Sequence, residues 1–197
     1  MGKIVAGKNG SKKDTITRKA SSIIRQKGFP GTSMRDIAEA IGVEAPSLYN
    51  HISSKNEILR DICFTVAKLF TEHLKELERT PDSHLSKIEA IIRFHIELMI
   101  DDFESVYIAE HEWQHLPEPF LADFKNQRRN YRSRLAAIIQ KGIDKREIRP
   151  MNPNVCVLTI LSAIGGIERW QKSGKKIEGK MLKKDMIQLL IMGLKNK

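Results

Sequence analysis

The chain has 197 residues, 41% hydrophobic and 29% charged, with a formal net charge of +10. That composition supports a soluble protein of one medium domain or two small ones, and the lack of any apolar run of about eighteen residues excludes a membrane span. Two isolated cysteines, Cys63 and Cys156, exclude a disulfide framework and read as small core side chains.

The charge is uneven. Residues 1–60 hold 11 Lys and Arg against 5 Asp and Glu, a net +6, whereas the other 137 hold 23 against 19, a net +4. A basic first third points to a polyanion partner, nucleic acid before membrane, with a solvated basic face as the plain alternative. No secretory stretch opens the sequence, and Ala6 breaks the myristoylation pattern, so the expected location is the cytoplasm.

In chain order, residues 1–13 read as a flexible basic arm, either a nucleic-acid contact or a plain terminus. Ile16, Ala20, Ile23, Ile24 and Phe29 then predict a helix over 14–27, closed by Gly28. Ser33-Met34-Arg35-Asp36 fits a capping box for a second helix, with Ile37, Ala38 and Ile41 as its buried side and Gly42 as its end. A third helix is expected from Ala45 to Ile52, with Pro46 in its first turn, where a missing N–H costs nothing. Two short helices around a tight glycine turn form a helix-turn-helix pattern, and neither is stable unless packed on the first helix. A long helix over 55–79 follows, then helical segments near 83–101, 103–116, 119–145, 153–172 and 179–195, separated by Pro81, Pro117, Pro119, Pro150, Pro153, Gly174 and Gly179. No period-2 strand occurs, so the expected fold is all-α with about nine helices. The organisation read from this is an arm at 1–13, a DNA-binding domain at 14–62 and a ligand-binding and dimerisation domain at 63–197.

Segment 153–172 is apolar round most of its circumference, through Val155, Val157, Leu158, Ile160, Leu161, Ile164 and Ile167. In a chain this small such a helix is best covered by a second copy, although a monomeric core helix is the other reading. Ala163, Gly165 and Gly166 permit close helix approach.

The stretch Thr32-Ser33-x-x-x-Ile37-Ala38, then Gly42-Val43, Pro46-Ser47-Leu48-Tyr49-x-His51 and Lys55, resembles the head of TetR-family regulators. The resemblance implies an all-α repressor that binds a double-stranded DNA operator as a homodimer. It places Ser33, Arg35, Ala45, Pro46, Ser47, Tyr49, Asn50, His51 and Lys55 at the DNA. Arg35 would reach a guanine edge, Pro46 a thymine methyl and Asn50 a base edge, while Ser47, Tyr49, His51 and Lys55 would hold phosphates. Ala45 stands where the tetracycline repressor has a longer amide, which implies a different operator. The residues alone leave Tyr49 open as a core aromatic, His51 as a capping or packing group and Lys55 as a solvated lysine.

Further along, Leu116-Pro117-Glu118, Arg128-Arg129-x-Tyr131, Ile148-Arg149-Pro150-x-x-Pro153 and Arg169-Trp170 resemble TetR-like repressors of fatty-acid and steroid breakdown, whose ligands are acyl-CoA thioesters. The chain differs from them at Arg146, where they usually have Gly. The implied ligand is small and apolar, an acyl-CoA in particular, with a pocket drawn from Phe94, His95, Leu98, Tyr107, Trp113, Phe120, Arg128, Arg132, Arg169 and Trp170. Aromatics at helical spacing are also ordinary core, and the arginines an ordinary solvated face.

One motif competes. His111-Glu112-Trp113-Gln114-His115 matches the zinc-hydrolase pattern His-Glu-x-x-His, in which two histidines on one helical face ligate zinc and the Glu activates water. Leu121 stands where an extended motif would carry a third His, and Pro117 and Pro119 break the helix soon after. The expectation is therefore no catalytic residue, no metal and no cofactor, with a zinc hydrolase and a ligand-independent DNA-binding protein as the alternatives.

Overall fold

The computed structural model describes residues 12–173 and 177–196, and among these the fold is all-α. The helices are α1 (Lys12–Lys27), α2 (Met34–Ile41), α3 (Ala45–Tyr49), α4 (Lys55–Arg79), α5 (His84–Asp101), α6 (Phe103–His111), α7 (Phe120–Asp144), α8 (Pro153–Gly165), α9 (Ile167–Lys172) and α10 (Gly179–Leu194), with a single 3-10 turn at Trp113–His115. One antiparallel bridge pairs Ile148 with Lys195.

Four boundaries differ from those expected. The arm's residues 1–11 lie outside the described residues, but Lys12 and Lys13 open α1, and Lys13 Nζ pairs with Glu57 at 2.6 Å and Asp61 at 2.7 Å. The third helix stops at Tyr49 rather than Ile52. The segment 103–116 splits because Leu116 precedes Pro117 and takes an extended backbone (φ −62°, ψ 134°). The segment 153–172 breaks at Gly166, which caps α8 by donating its N–H to Ser162 O at 3.1 Å and Ala163 O at 3.2 Å; two consecutive glycines remove the helix preference that would carry the chain through.

The chain forms two compact units. One comprises residues up to Val66 together with Glu104–Phe124. It thus reaches beyond 14–62 to take in α6 and the 3-10 turn. Its interior holds Ile16, Ala20 and Ile24 from α1, Ile37 and Ala38 from α2, Leu48 from α3, Ile58, Leu59 and Ile62 from α4, and Val106 and Ile108 from α6. Burial of aliphatic side chains of this size stabilises by about 1.5–3 kcal/mol each, which is what fixes elements as short as α2 and α3.

The other unit comprises Ala67–Phe103 and the chain from Lys125 onward. Its centre is α5, which buries Ile88, Ile91, Ile92, Phe94, His95, Ile96, Leu98 and Met99 and packs against α8, α9 and α10. The Glu147 carboxylate caps α5 by accepting from the His84 and Leu85 N–H groups. α8 and α10 leave apolar side chains uncovered on a single chain: Leu158 is 66% exposed, Leu189 75% and Met192 68%, with Val155 and Met181 beside them.

Arg146, where the resemblance drawn from the sequence leads one to expect Gly, sits in the left-handed region at φ 59°. Its own N–H donates to Ile143 O at 2.9 Å and its carbonyl accepts from the Asn196 side-chain amide at 3.1 Å, so the turn is held through the backbone groups of Arg146. A Cβ in this conformation costs about 1–2 kcal/mol, partly offset by the extra flexibility glycine brings to the unfolded chain. Arg146→Gly is therefore expected to raise stability by up to about 1 kcal/mol in chemical denaturation, with the fold unchanged.

Candidate DNA interface and ligand region

α2 is built to hold its start and its end. Ser33 caps it: the Asp36 N–H donates to Ser33 Oγ at 3.1 Å, and Asp36 Oδ2 accepts from the Ser33 N–H at 2.7 Å and from its hydroxyl. Lys27 Nζ holds the other carboxylate oxygen at 2.6 Å, and these partners keep the Asp36 carboxyl well below the usual range, Lys27 first and the Ser33 hydroxyl and N–H after it. At the far end Gly42 takes φ 80°, its N–H bonding Ala38 O and Glu39 O. Only glycine enters this left-handed conformation without strain, and it turns the chain at once into α3. Leu48 is buried at 1% exposure and fastens α3 to the unit's interior.

That single inward residue decides what faces out. Pro46, Ser47, Tyr49, Asn50 and His51 are exposed, Tyr49 at 53%, as is Arg35 on α2, and Ser33 is exposed at its cap; Ala45 is half-buried. The core reading of Tyr49 therefore fails, because Leu48 takes the inward position. Lys55, expected to hold a phosphate, has partners within the chain. Its ammonium donates to Phe29 O and Thr32 O, both at 2.7 Å, and lies 4.4 Å from the centre of the Phe29 ring. It braces the turn between α1 and α2.

The expected pocket residues fall into two groups, one in each unit. In the unit built on α5, Phe94, His95 and Leu98 are buried. The His95 ring stacks on Phe70 at 4.1 Å, the His73 ring stacks on Phe94 at 4.0 Å, and His95 Nε2 shares a hydrogen bond of 2.6 Å with the Tyr131 hydroxyl. Burial, reinforced by the neighbouring His73, pushes the His95 imidazole down to about 3, so it is neutral. Burial likewise raises the Tyr131 phenol and lowers His73. In the other unit Trp113 lies 6.1 Å from Phe124, Phe120 lies 6.2 Å from Phe64, and Tyr107 lies 4.4 Å from His111. Arg128 is half-buried and Arg132 exposed. Arg169 lines an open depression with Ser162, Gly165, Gly166 and Glu168, and the buried indole nitrogen of Trp170 has no hydrogen-bond partner among the described residues. Phe70, His73 and Tyr131, which the expected pocket set does not include, pack in this cluster; the spacing of Phe70 and His73, three apart on a long helix, is the signal that places them together.

A family model described as bacterial regulatory proteins of the tetR family matches residues 16–62, and one described as the tetracyclin repressor-like C-terminal domain matches residues 81–194. The chain belongs to the TetR family. It is a DNA-binding transcriptional regulator of a non-enzymatic family. Among curated relatives, the transcriptional repressor KstR2 of Mycolicibacterium smegmatis is 22% identical over 93% of this chain and 91% of its own length. The negative regulator IcaR of the biofilm operon of Staphylococcus aureus is 26% identical over 91% of this chain and 96% of its own. Among solved structures, the ketosteroid regulator KstR2 of Mycobacterium tuberculosis superposes with a TM-score of 0.89 at 19% identity, covering 98% of this chain and all of that one. AibR, solved with isovaleryl coenzyme A and operator DNA, superposes at 0.80 with 24% identity, covering 92% of this chain and 98% of its own.

The zinc-like motif does not form in this TetR-family chain. α6 ends at His111, and His115 belongs to the 3-10 turn, so the two imidazoles do not share one α-helical face. His115 stacks on Phe29 at 5.6 Å. Among the described residues no cluster of three or more His, Cys, Asp or Glu could hold a metal, and no helix is long and apolar enough to cross a membrane.

The head is anchored to α4 by charge as well as by its core. Glu57 accepts from Lys13 at 2.6 Å, from the Ser53 N–H at 2.8 Å and from the Ser53 hydroxyl at 2.7 Å. Lys13 first, and then Ser53, hold its carboxyl down to about 2 from an ordinary 4.5. A lowered carboxylate stabilises fully above the unfolded value and loses that contribution as pH falls through the folded one. Glu57→Gln is expected to lower the melting temperature at neutral pH, and the gap to wild type should close as pH falls from about 4.5 to about 2.

Proposed function

We propose that this regulator is a repressor that binds its operator as a homodimer and is released by a small apolar ligand of the acyl-CoA class. The observation that carries the reading is α3: a five-residue helix fixed by one buried leucine, with Pro46, Ser47, Tyr49, Asn50 and His51 turned to solvent. Such an array suits major-groove docking, in which base edges are read at the start of the helix and phosphates are gripped along its flanks. In this reading Arg35 contacts a guanine, Pro46 a thymine methyl and Asn50 a base edge. Ser47, Tyr49 and His51 grip phosphates, with Ser33 and Ala45 bordering the same groove. Lys55 acts through the turn it braces.

Dimerisation is supported by the uncovered apolar side chains of α8 and α10, Val155, Leu158, Met181, Leu189 and Met192. A stripe of this kind is costly in water and is what a second copy would bury. The ligand class is supported by the aromatic and imidazole cluster around Phe94 and His95, by Arg128, Arg132 and Arg169 as phosphate partners, and by AibR, a relative in fold that was solved with isovaleryl coenzyme A. A ligand preferring the DNA-incompetent arrangement would displace the long α4 and spoil the spacing of the two heads.

The test is fluorescence anisotropy on a duplex selected from a random pool by the wild-type protein. Wild type should bind tightly with a steep salt dependence, and one acyl-CoA in a chain-length panel should release it. Arg35→Ala should weaken binding by about 1–3 kcal/mol and relax the sequence preference at one position. Release by apolar compounds without coenzyme A, and by no thioester, would keep the repressor and discard the ligand class.

A further inference from the structure

The turn from Gly28 to Thr32 sets where α2 begins, and so where Arg35 and, through Gly42, α3 are aimed. It is closed by the Thr32 hydroxyl on Gly28 O at 2.8 Å and the Thr32 N–H on Phe29 O at 3.3 Å. From one direction Lys55 grips its carbonyls. From another comes the segment that carries the His-Glu-x-x-His spacing. The His115 ring lies nearly parallel to Phe29, 5.6 Å between centroids and 20° between planes. Phe29 itself is buried, at 6% exposure. The Glu112 carboxylate stands 3.5 Å from His115 Nε2 and borders Gly28, where an added Cβ would come within 3.9 Å of Glu112 Oε1. At the start of α6, Glu104 pairs with Arg25 of α1 at 3.6 Å. α6 therefore grips the end of α1 at its first turn, and the residues just after it grip the α1–α2 turn.

We infer that His115, oriented by Glu112 and stacked on Phe29, is a positioning residue for DNA binding: a wedge that holds the α1–α2 turn in its operator-competent pose. The inference rests on the DNA-binding reading above. It assigns a task to residues outside both the DNA-contact set and the pocket set. α6 follows α5 after the single residue Asp102, and α5 carries Phe94, His95 and Leu98. The α1–α2 turn has two inputs, Lys55 at the start of α4 and His115 beyond α6. Arg35 keeps its aim when both agree.

The test compares full-length wild type with His115→Ala, His115→Phe and Gln114→Ala, the last an exposed neighbour in the same turn. Two readouts are used: amide hydrogen exchange at Thr32 and Ile37, and affinity for the pool-selected duplex over a range of salt. His115→Ala should speed exchange at both amides roughly threefold to tenfold, the scale set by loss of one ring pair. It should weaken the duplex by a similar factor while leaving the salt slope unchanged, because no phosphate contact is removed. His115→Phe keeps a ring and should restore both, and Gln114→Ala should alter neither. Wild-type exchange in His115→Ala would overturn the wedge, and so would accelerated exchange with intact affinity. A wild-type protein that selects no duplex would overturn the DNA reading and the wedge's positional role with it, an outcome the exchange data distinguish from loss of the packing.

Discussion

A helix of five residues satisfies almost none of its own hydrogen bonds, so α3 persists only because the surroundings impose it. Leu48 supplies the one deep contact, Gly42 sets the entry angle, and the N–H groups of Ser47 and Leu48 both find Glu44 O, at 3.0 and 3.3 Å. Everything outward on α3 follows from that arrangement, since a helix pinned by one residue presents its remaining circumference to solvent. The same reasoning applies one step back. α2 is eight residues long, and its direction is set by the turn before it, which is why a lysine from α4 is committed to two carbonyls of that turn. Two carbonyls and an aromatic face replace much of the water that the ammonium gives up, so the strut is stable without a carboxylate partner.

The unit built on α5 solves a different problem. A charged imidazole enclosed as deeply as His95 would carry a desolvation penalty of several kcal/mol. Neutral, it needs only one good partner, and the Tyr131 hydroxyl at 2.6 Å provides it. The rings of Phe70, Phe94 and His73 close round the pair, so this interior offers hydrogen-bonding capacity without charge. The cations of the same unit are disposed otherwise: Arg132 and Arg169 are exposed, and Arg134 is committed to Glu78 through two bonds of 2.9 and 2.6 Å. In the proposed acyl-CoA reading, rings would hold the apolar body and arginines nearer the surface would meet the anionic head.

Legibility tracked locality. The capping box at Ser33 and Asp36, the left-handed Gly42 and the inward Leu48 are set by residues within a turn of one another, and the chain announces them. The end of α3 was missed by three residues because Asn50 caps it in right-handed geometry (φ −66°), with neither Gly nor Pro to mark the stop. The partners of Lys55 within the chain are not legible in the sequence for a deeper reason. Its partners lie 23 and 26 residues back, and only the packed head shows which acceptors a long side chain can reach. The aromatic set shows the same limit: Tyr107 and Phe94 are expected in one lining, and packing sets them in two compact units. A glycine pair in the middle of an apolar helix, by contrast, was visible and was given too little weight.

The motif at 111–115 shows why spacing is not geometry. His-Glu-x-x-His specifies a metal site only if all five residues keep the α-helical phase, because only then do the first and fifth side chains share a face. The information that breaks the phase here lies downstream, in Pro117 and Pro119. Proline disfavours α geometry in the residue before it, so Leu116 becomes extended and the preceding turn tightens to 3-10. With three residues per turn instead of 3.6, side chains after Glu112 swing progressively out of register with those before it. His115 is thereby turned away from a shared face with His111 and brought to the Phe29 ring. The prolines do more than end a helix: they bring the His115 imidazole onto the Phe29 ring of the α1–α2 turn.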